Sequence, residues 1–211
     1  MSEPHFPLTA AEQAAIPAAP RAPGNWIIKG RDIVQDDWLV LRPSTEGSEG
    51  GGLDDPQHVV VPDGKVIVPF KVWQAQRAAL SARPALGVWL APDEMAEQLA
   101  DDFDRFQVIA IDFPKFSDGR GYSTAYLLRT RLGYKGELRA IGDVLRDQLF
   151  YMMRAGFDAY ATRPDRSIDD ALKGLSDFSE TYQAAWDRED PLFRRAHRAA
   201  VPESGDIGYG I

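Results

Sequence analysis

From Leu86 onward the chain repeats one order: a short apolar run, a polar stretch of helical composition, then another apolar run. The apolar runs are Leu86 to Leu90, Val108 to Phe113, Glu137 to Ile141 and Phe157 to Thr162, and the helices between them are expected to begin near Pro92, Ser123 and Asp143. Successive runs start about 20 to 30 residues apart, room for one strand and one returning helix. Strands joined in this way lie parallel, because each right-handed crossover carries the chain back to the same end of the sheet. The expected fold is α/β: a parallel sheet of about four βα units, either an open sheet or a partial TIM-like barrel. Gly133 and Gly156 follow helical runs and stand where helix-ending glycines belong.

The flanking sequence is less regular. Residues 1–24, rich in Ala and Pro, read as a mobile N-terminal arm. Trp26 to Lys29 and Trp38 to Leu41 are short β-type runs, forming a small N-terminal hairpin or two edge strands. Residues 43–56, with Gly50, Gly51 and Gly52, read as a flexible loop. Lys65 to Pro69 reads as a strand and Phe70 to Ala82 as a helix that Pro84 stops. A last helix is expected from Ser167 to Trp186, with Ile168, Leu172, Leu175, Tyr182 and Trp186 on one stripe and Ser167 and Asp170 at capping-box spacing. Residues 25–187 then form a single α/β domain and 188–211 a peripheral tail.

Composition excludes several chemistries. The chain has no Cys, which removes disulfides, thiolate nucleophiles and Cys-held iron–sulfur or zinc centres. Its three histidines, His5, His58 and His197, are scattered over expected loops and tails, so neither a Ser-His-Asp triad nor a His metal site is expected. A net charge of −8 speaks against nucleic-acid binding, which depends on neutralising phosphates. No apolar stretch approaches the roughly 20 residues that span a bilayer, and the first residues lack a basic head followed by an apolar block. A cytoplasmic protein without membrane insertion is expected. The charge is uneven, however: from Asp112 to Arg163 nine Lys and Arg stand against six acids.

A parallel sheet carries function on the loops that leave the C-terminal ends of its strands. Those loops are expected at 91–93, 114–122, 142–143 and 163–165, and the candidate surface centres on Ile111 to Gln148. In it, Lys115, Asp118, Gly119, Arg120, Gly121, Tyr122 and Ser123 lead from a buried strand into a helix, with two glycines bracketing an arginine. Backbone N–H groups at such a turn and one guanidinium can converge on an anion. Equally, the glycines can serve only to reach positive φ, with Asp118 or Ser123 capping the helix and Arg120 solvated. Asp143 stands at a strand end as N-cap or ligand contact, followed by Arg146, Asp147 and Gln148. Arg146 opposes the helix dipole there, so a carboxylate such as Asp143 or a bound anion is expected beside it. Lys115, Tyr122 and Asp112 are the acid–base residues if this is an enzyme. Phe150, Tyr151, Met152, Met153 and Phe157 read as packing residues rather than a cofactor box.

The stretch FPKFSDGRGYSTAYLLRTRLGYKGELRAIGDVLRDQLFYMMRAGFDAY resembles a proteobacterial family catalogued as domain of unknown function 934, with a weaker signal in IIKGRDIVQDDW. The resemblance spans Trp26 to about Arg163. It implies a place in assimilatory sulfite reduction and cysteine synthesis, since genes of that family lie beside the one for the sulfite reductase haemoprotein. Members are labelled oxidoreductases, with no agreed catalytic residues. The leading expectation is thus an accessory protein that binds sulfite reductase or its electron donor through a basic face of Arg120, Arg129, Arg139 and Arg146. The alternative is an enzyme acting on a small anionic metabolite at the strand C-terminal loops. No cofactor is identified, a flavin or nicotinamide site without a known fingerprint staying open. Homodimerisation is favoured only by its general frequency.

Overall fold

The computed structural model describes residues 25–42 and 55–195. The expected N-terminal arm, nearly all of the Gly-rich loop and most of the C-terminal tail lie outside these residues, as do His5 and His197. The strands are β1 (Trp26–Lys29), β2 (Asp32–Gln35), β3 (Leu39–Val40), β4 (Val66–Pro69), β5 (Leu86–Leu90), β6 (Val108–Phe113), β7 (Glu137–Gly142) and β8 (Ala159–Tyr160). The helices are α1 (Phe70–Leu80), α2 (Arg120–Thr130), α3 (Leu149–Ala155), α4 (Ile168–Gly174) and α5 (Leu192–Arg195), with 3₁₀ segments at Ala96–Arg105 and Arg146–Gln148. None of the described helices is long and apolar enough to cross a membrane.

The strands form one sheet in the order β2-β1-β8-β7-β6-β5-β4-β3. From β3 to β8 every neighbour is parallel, and each crossover advances one place in the same direction. A hairpin then extends the sheet, β1 lying antiparallel to both β2 and β8. The result is an open, curled half-barrel with a mixed sheet of eight strands, not the purely parallel sheet of about four βα units that the spacing suggests.

Alternation along the strands sorts side chains onto two faces. In β6, Ile109, Ile111 and Phe113 join the helices in the main core, with Trp73, Leu99, Leu128 and Met152. Val108 and Ala110 face the other way and share a smaller cluster with Ile67, Trp89 and Ile141, flanked by Trp38, Val40, Ala91 and Ala161. Among the described residues no helical one belongs to this second cluster, so the described helices cover one face of the sheet, and the other is termed the helix-free face. Strands buried on both faces read as unbroken apolar runs, which explains their visibility in the sequence. The helix-free face is crowded: a Cβ on Gly87 would stand 2.9 Å from Ile67 Cγ1 and 3.0 Å from the Val108 carbonyl oxygen. Small residues at Gly87, Ala91, Ala110 and Ala161 make room on this face for Trp38 and Trp89.

Toward the N-terminal end of β7 this face turns polar. Arg139, aligned with Ala110, is 1% exposed. Its Nη1 donates to both oxygens of Asp36 at 3.0 and 2.9 Å, and its Nε donates to Glu137 Oε1 at 2.7 Å. Lys29 Nζ lies 2.8 Å from the other Glu137 oxygen. The buried guanidinium thereby joins the end of the hairpin to the start of β7.

Several expected boundaries shift for local reasons. Trp26 to Lys29 pairs with Asp32–Gln35 around Gly30, whose φ of 60° suits the first position of a two-residue hairpin turn. Leu39–Val40 instead forms the far edge beside β4. The helix expected from Pro92 is a 3₁₀ segment from Ala96, because Glu94 turns back to accept from the Ala91 N–H at 2.8 Å. The expected strand from Phe157 to Thr162 is paired only at Ala159–Tyr160. The last long helix stops at Gly174, which lies so close to the Arg146 carbonyl that no side chain fits. Ser167 does cap it, accepting from the Asp170 N–H. Tyr182 and Trp186 lie beyond the helix, and the Trp186 ring instead meets Arg129 and Lys135 at 5.7 and 5.6 Å.

Candidate functional site

Because β3 to β8 are parallel, their C-terminal ends share one rim of the half-barrel. On the helix-free side of that rim lies an open recess of about 640 Å³ lined by Val40, Arg42, Asp112, Phe113, Pro114, Ile141, Gly142, Asp143, Ala161 and Arg163. Arg42 Nη2 donates to Asp112 Oδ1 at 2.5 Å, and its guanidinium rests 5.2 Å from the Trp89 ring centre. Arg163 Nη1 donates to Asp143 Oδ1 at 3.1 Å. The two arginine side chains keep 46% and 40% of their surface exposed, whereas Asp112 keeps 10%. Gly142, with φ of 93°, makes this geometry attainable: a Cβ there would strike the Phe113 carbonyl and stand 2.7 Å from Asp112 Oδ1.

The loops around the recess are tied through one backbone unit. Asp143 Oδ2 accepts from the Phe116 N–H at 2.9 Å, and Gln148 Nε2 donates to the Phe116 carbonyl at 3.2 Å. Gln148 Oε1 also accepts from the Leu145 N–H, and the Arg163 N–H donates to the Val144 carbonyl. The loops after β6, β7 and β8 thus behave as one hydrogen-bonded rim, built on Asp143 and Gln148. Asp143 is not a helix cap: the chain leaves β7 into a 3₁₀ turn whose cap position is Leu145, satisfied by Gln148.

The turn from Lys115 to Ser123 is organised around itself. The Asp118 carboxylate accepts from the Arg120 N–H, Nε and Nη2 at 3.2, 3.0 and 2.7 Å, occupying the place an anion would take at the start of α2. This pairing holds the Asp118 carboxyl below its ordinary range. Neither Gly119 nor Gly121 has positive φ. Gly121 is required for packing instead, since a Cβ would stand 2.6 Å from the Phe113 ring. Lys115 and Ser123 are exposed. Tyr122 packs edge-on against Phe113 on the helix side of the sheet, and burial, then the Asp147 charge, pushes its phenol up. Asp147 is exposed. Arg146 finds its carboxylates on the following segment, Asp177 at 2.8 Å and Asp170 at 3.8 Å, rather than Asp143.

The arginines expected to form a basic face do not share one. Arg129 and Arg139 are buried on opposite sides of the sheet. Arg129 donates to the carbonyls of Gly156, Tyr134 and Gly136 and to Asp158 Oδ2. Arg120 and Arg146 are exposed, each against an acid. Local positive excess along the chain therefore reflects internal ion pairing. The packing of Phe150, Met152 and Phe157 is as expected, though Tyr151 is exposed.

Of the residues singled out in the sequence, Asp112 and Asp143 line the recess and Gln148 braces its rim. Arg42 and Arg163 are the additions to the candidate residues, although the loop that Arg163 opens is one of those expected at the strand C-terminal ends. Each follows a strand at its C-terminal end, the one signal by which both could have been found. Arg163 also forks onto Asp165 through Nε and Nη2 at 2.9 and 2.8 Å. That pairing raises the Arg163 pKa, and Asp143 raises it further. With two guanidinium groups beside an apolar floor, the recess offers N–H donors of the kind that pair with small anions, and Asp112 is the acidic group next to them. Among the described residues no three His, Asp or Glu side chains gather to hold a metal.

Residues 87–193 match the family described as Bacterial protein of unknown function (DUF934), and the chain belongs to that family. The match begins in β5 and runs into α5, so the N-terminal hairpin lies outside it and the segment after Arg163 within it. No curated protein and no solved structure matches the chain.

Proposed function

We propose that this chain binds a small anionic metabolite at the mouth of the half-barrel, in the service of assimilatory sulfite reduction. The observation that carries the binding role is the convergence of Arg42 and Arg163, both half exposed, on one recess at the strand C-terminal ends. Guanidinium groups recognise carboxylates and oxyanions through paired N–H donors, and parallel α/β sheets carry their ligands at this rim. The pathway is supported by the family resemblance alone. Docking of sulfite reductase haemoprotein or its electron donor through a four-arginine face has less support, since two of the four arginines are buried.

Calorimetric titration of the full chain with sulfite, sulfate, phosphate, small carboxylates and amino acids tests the binding role. At least one is expected to bind with a Kd between about 1 μM and about 1 mM, the range usual for metabolites. Arg42→Gln and Arg163→Gln are each expected to weaken that binding about tenfold or more. Absence of binding by every compound, or binding indifferent to both substitutions, would overturn it.

A further inference from the structure

The charges at the mouth suit an anion that carries a positive group as well. Two arginines and two aspartates line the recess. Asp143 is held on both oxygens, by Arg163 and by the Phe116 N–H. Asp112 is nine-tenths buried and its carboxylate is paired with Arg42. An anion that draws Arg42 away leaves Asp112 facing it, a buried charge without its counter-ion beside a second negative group. A ligand that also carries an ammonium avoids this, because its cation takes the Arg42 place on Asp112 while its anion engages the guanidinium.

We infer that the ligand class is a zwitterion of the α-amino acid type, its carboxylate on Arg42 and its ammonium on Asp112. This rests on the binding role proposed above and narrows it. Arg42 and Asp112 are in direct contact at 2.5 Å, so a molecule that bridges them must hold its opposite charges close together. An α-amino acid does so across a single carbon. Its side chain then lies along Val40, Ile141 and Ala161, the apolar part of the recess lining. Arg163, which lines the same recess, is available to a side chain that ends in a second anionic group.

The test is calorimetric titration of the full chain with each common L-α-amino acid, its desamino acid and its decarboxylated amine. At least one amino acid is expected to bind about tenfold or more tightly than its desamino partner. Asp112→Asn is expected to erase that preference and to leave desamino binding in place, whereas Arg42→Gln weakens both. Equal affinity for an amino acid and its desamino acid in the unmodified chain would overturn the inference while leaving the mouth an anion site. A preference that survives Asp112→Asn would also overturn it. Failure of every compound would overturn the mouth as a binding site and this inference with it.

Discussion

Arg139 lies on the helix-free face with both neighbours in its strand, Leu138 and Ala140, turned into the main core. Two carboxylates from distant segments, Asp36 and Glu137, take its donors. Removing the guanidinium leaves both acids enclosed without it, although Lys29 still reaches Glu137. Arg139→Ala is therefore expected to destabilise the fold by about 3–5 kcal/mol, read as a lowered urea midpoint. Arg139→Lys should recover only part of this loss, since an ammonium cannot fork onto Asp36 and reach Glu137 together. In the sequence this residue looks like part of a basic surface. Counting charges along a chain carries no information on which way a side chain points, and the partner Asp36 is 103 residues away.

Elements show a different division. Strands β5 and β6 are legible because burial on both faces leaves them no polar residue before Asp112, whereas β7 carries Arg139 in its interior. The turn after β7 is legible in part: Gly142 and Asp143 stand out, but not the reason glycine is needed. Positive φ and the approach of the Phe113 carbonyl both exclude a side chain. Gly142→Ala is expected to cost about 1–3 kcal/mol in thermal or urea unfolding and to weaken ligand binding at the mouth by pushing on Asp112. If stability falls and binding does not, the turn supports the sheet without shaping the site. Helix α4 marks the opposite case. Its apolar spacing continues past Gly174 on paper, yet the helix ends there, packed against Arg146, and nothing in local periodicity reports a contact of that kind.

The whole molecule responds to pH through groups the fold encloses. Burial pushes the phenols of Tyr134 and Tyr160 well above their ordinary value. Each also donates its hydroxyl hydrogen to a main-chain carbonyl, Phe106 for Tyr134 and Phe157 for Tyr160. In the unfolded chain these phenols ionise near pH 10, while in the folded chain they stay neutral. Their contribution to stability is thus fully present below about pH 10 and is lost as pH rises toward the folded values. Urea midpoints measured from about pH 9 to about pH 11 should fall steeply. Tyr160→Phe should lower stability slightly at neutral pH and flatten that fall. An unchanged slope in this variant would mean that other groups drive alkaline unfolding.

Taken by itself, the sequence determined the α/β class, the parallel succession of strands and the rim on which function is sought, because apolar runs and helix-sized intervals are local properties that crossover handedness converts into topology. It also marked Asp112, Asp143 and Gln148. Only the tertiary structure decided that the sheet curls and takes an antiparallel hairpin on one edge, that Arg129 and Arg139 are interior, and that Arg42 meets Asp112 across 70 residues of chain. The physical reason is common to all three: curl, burial and ion pairing depend on which segments become neighbours in space.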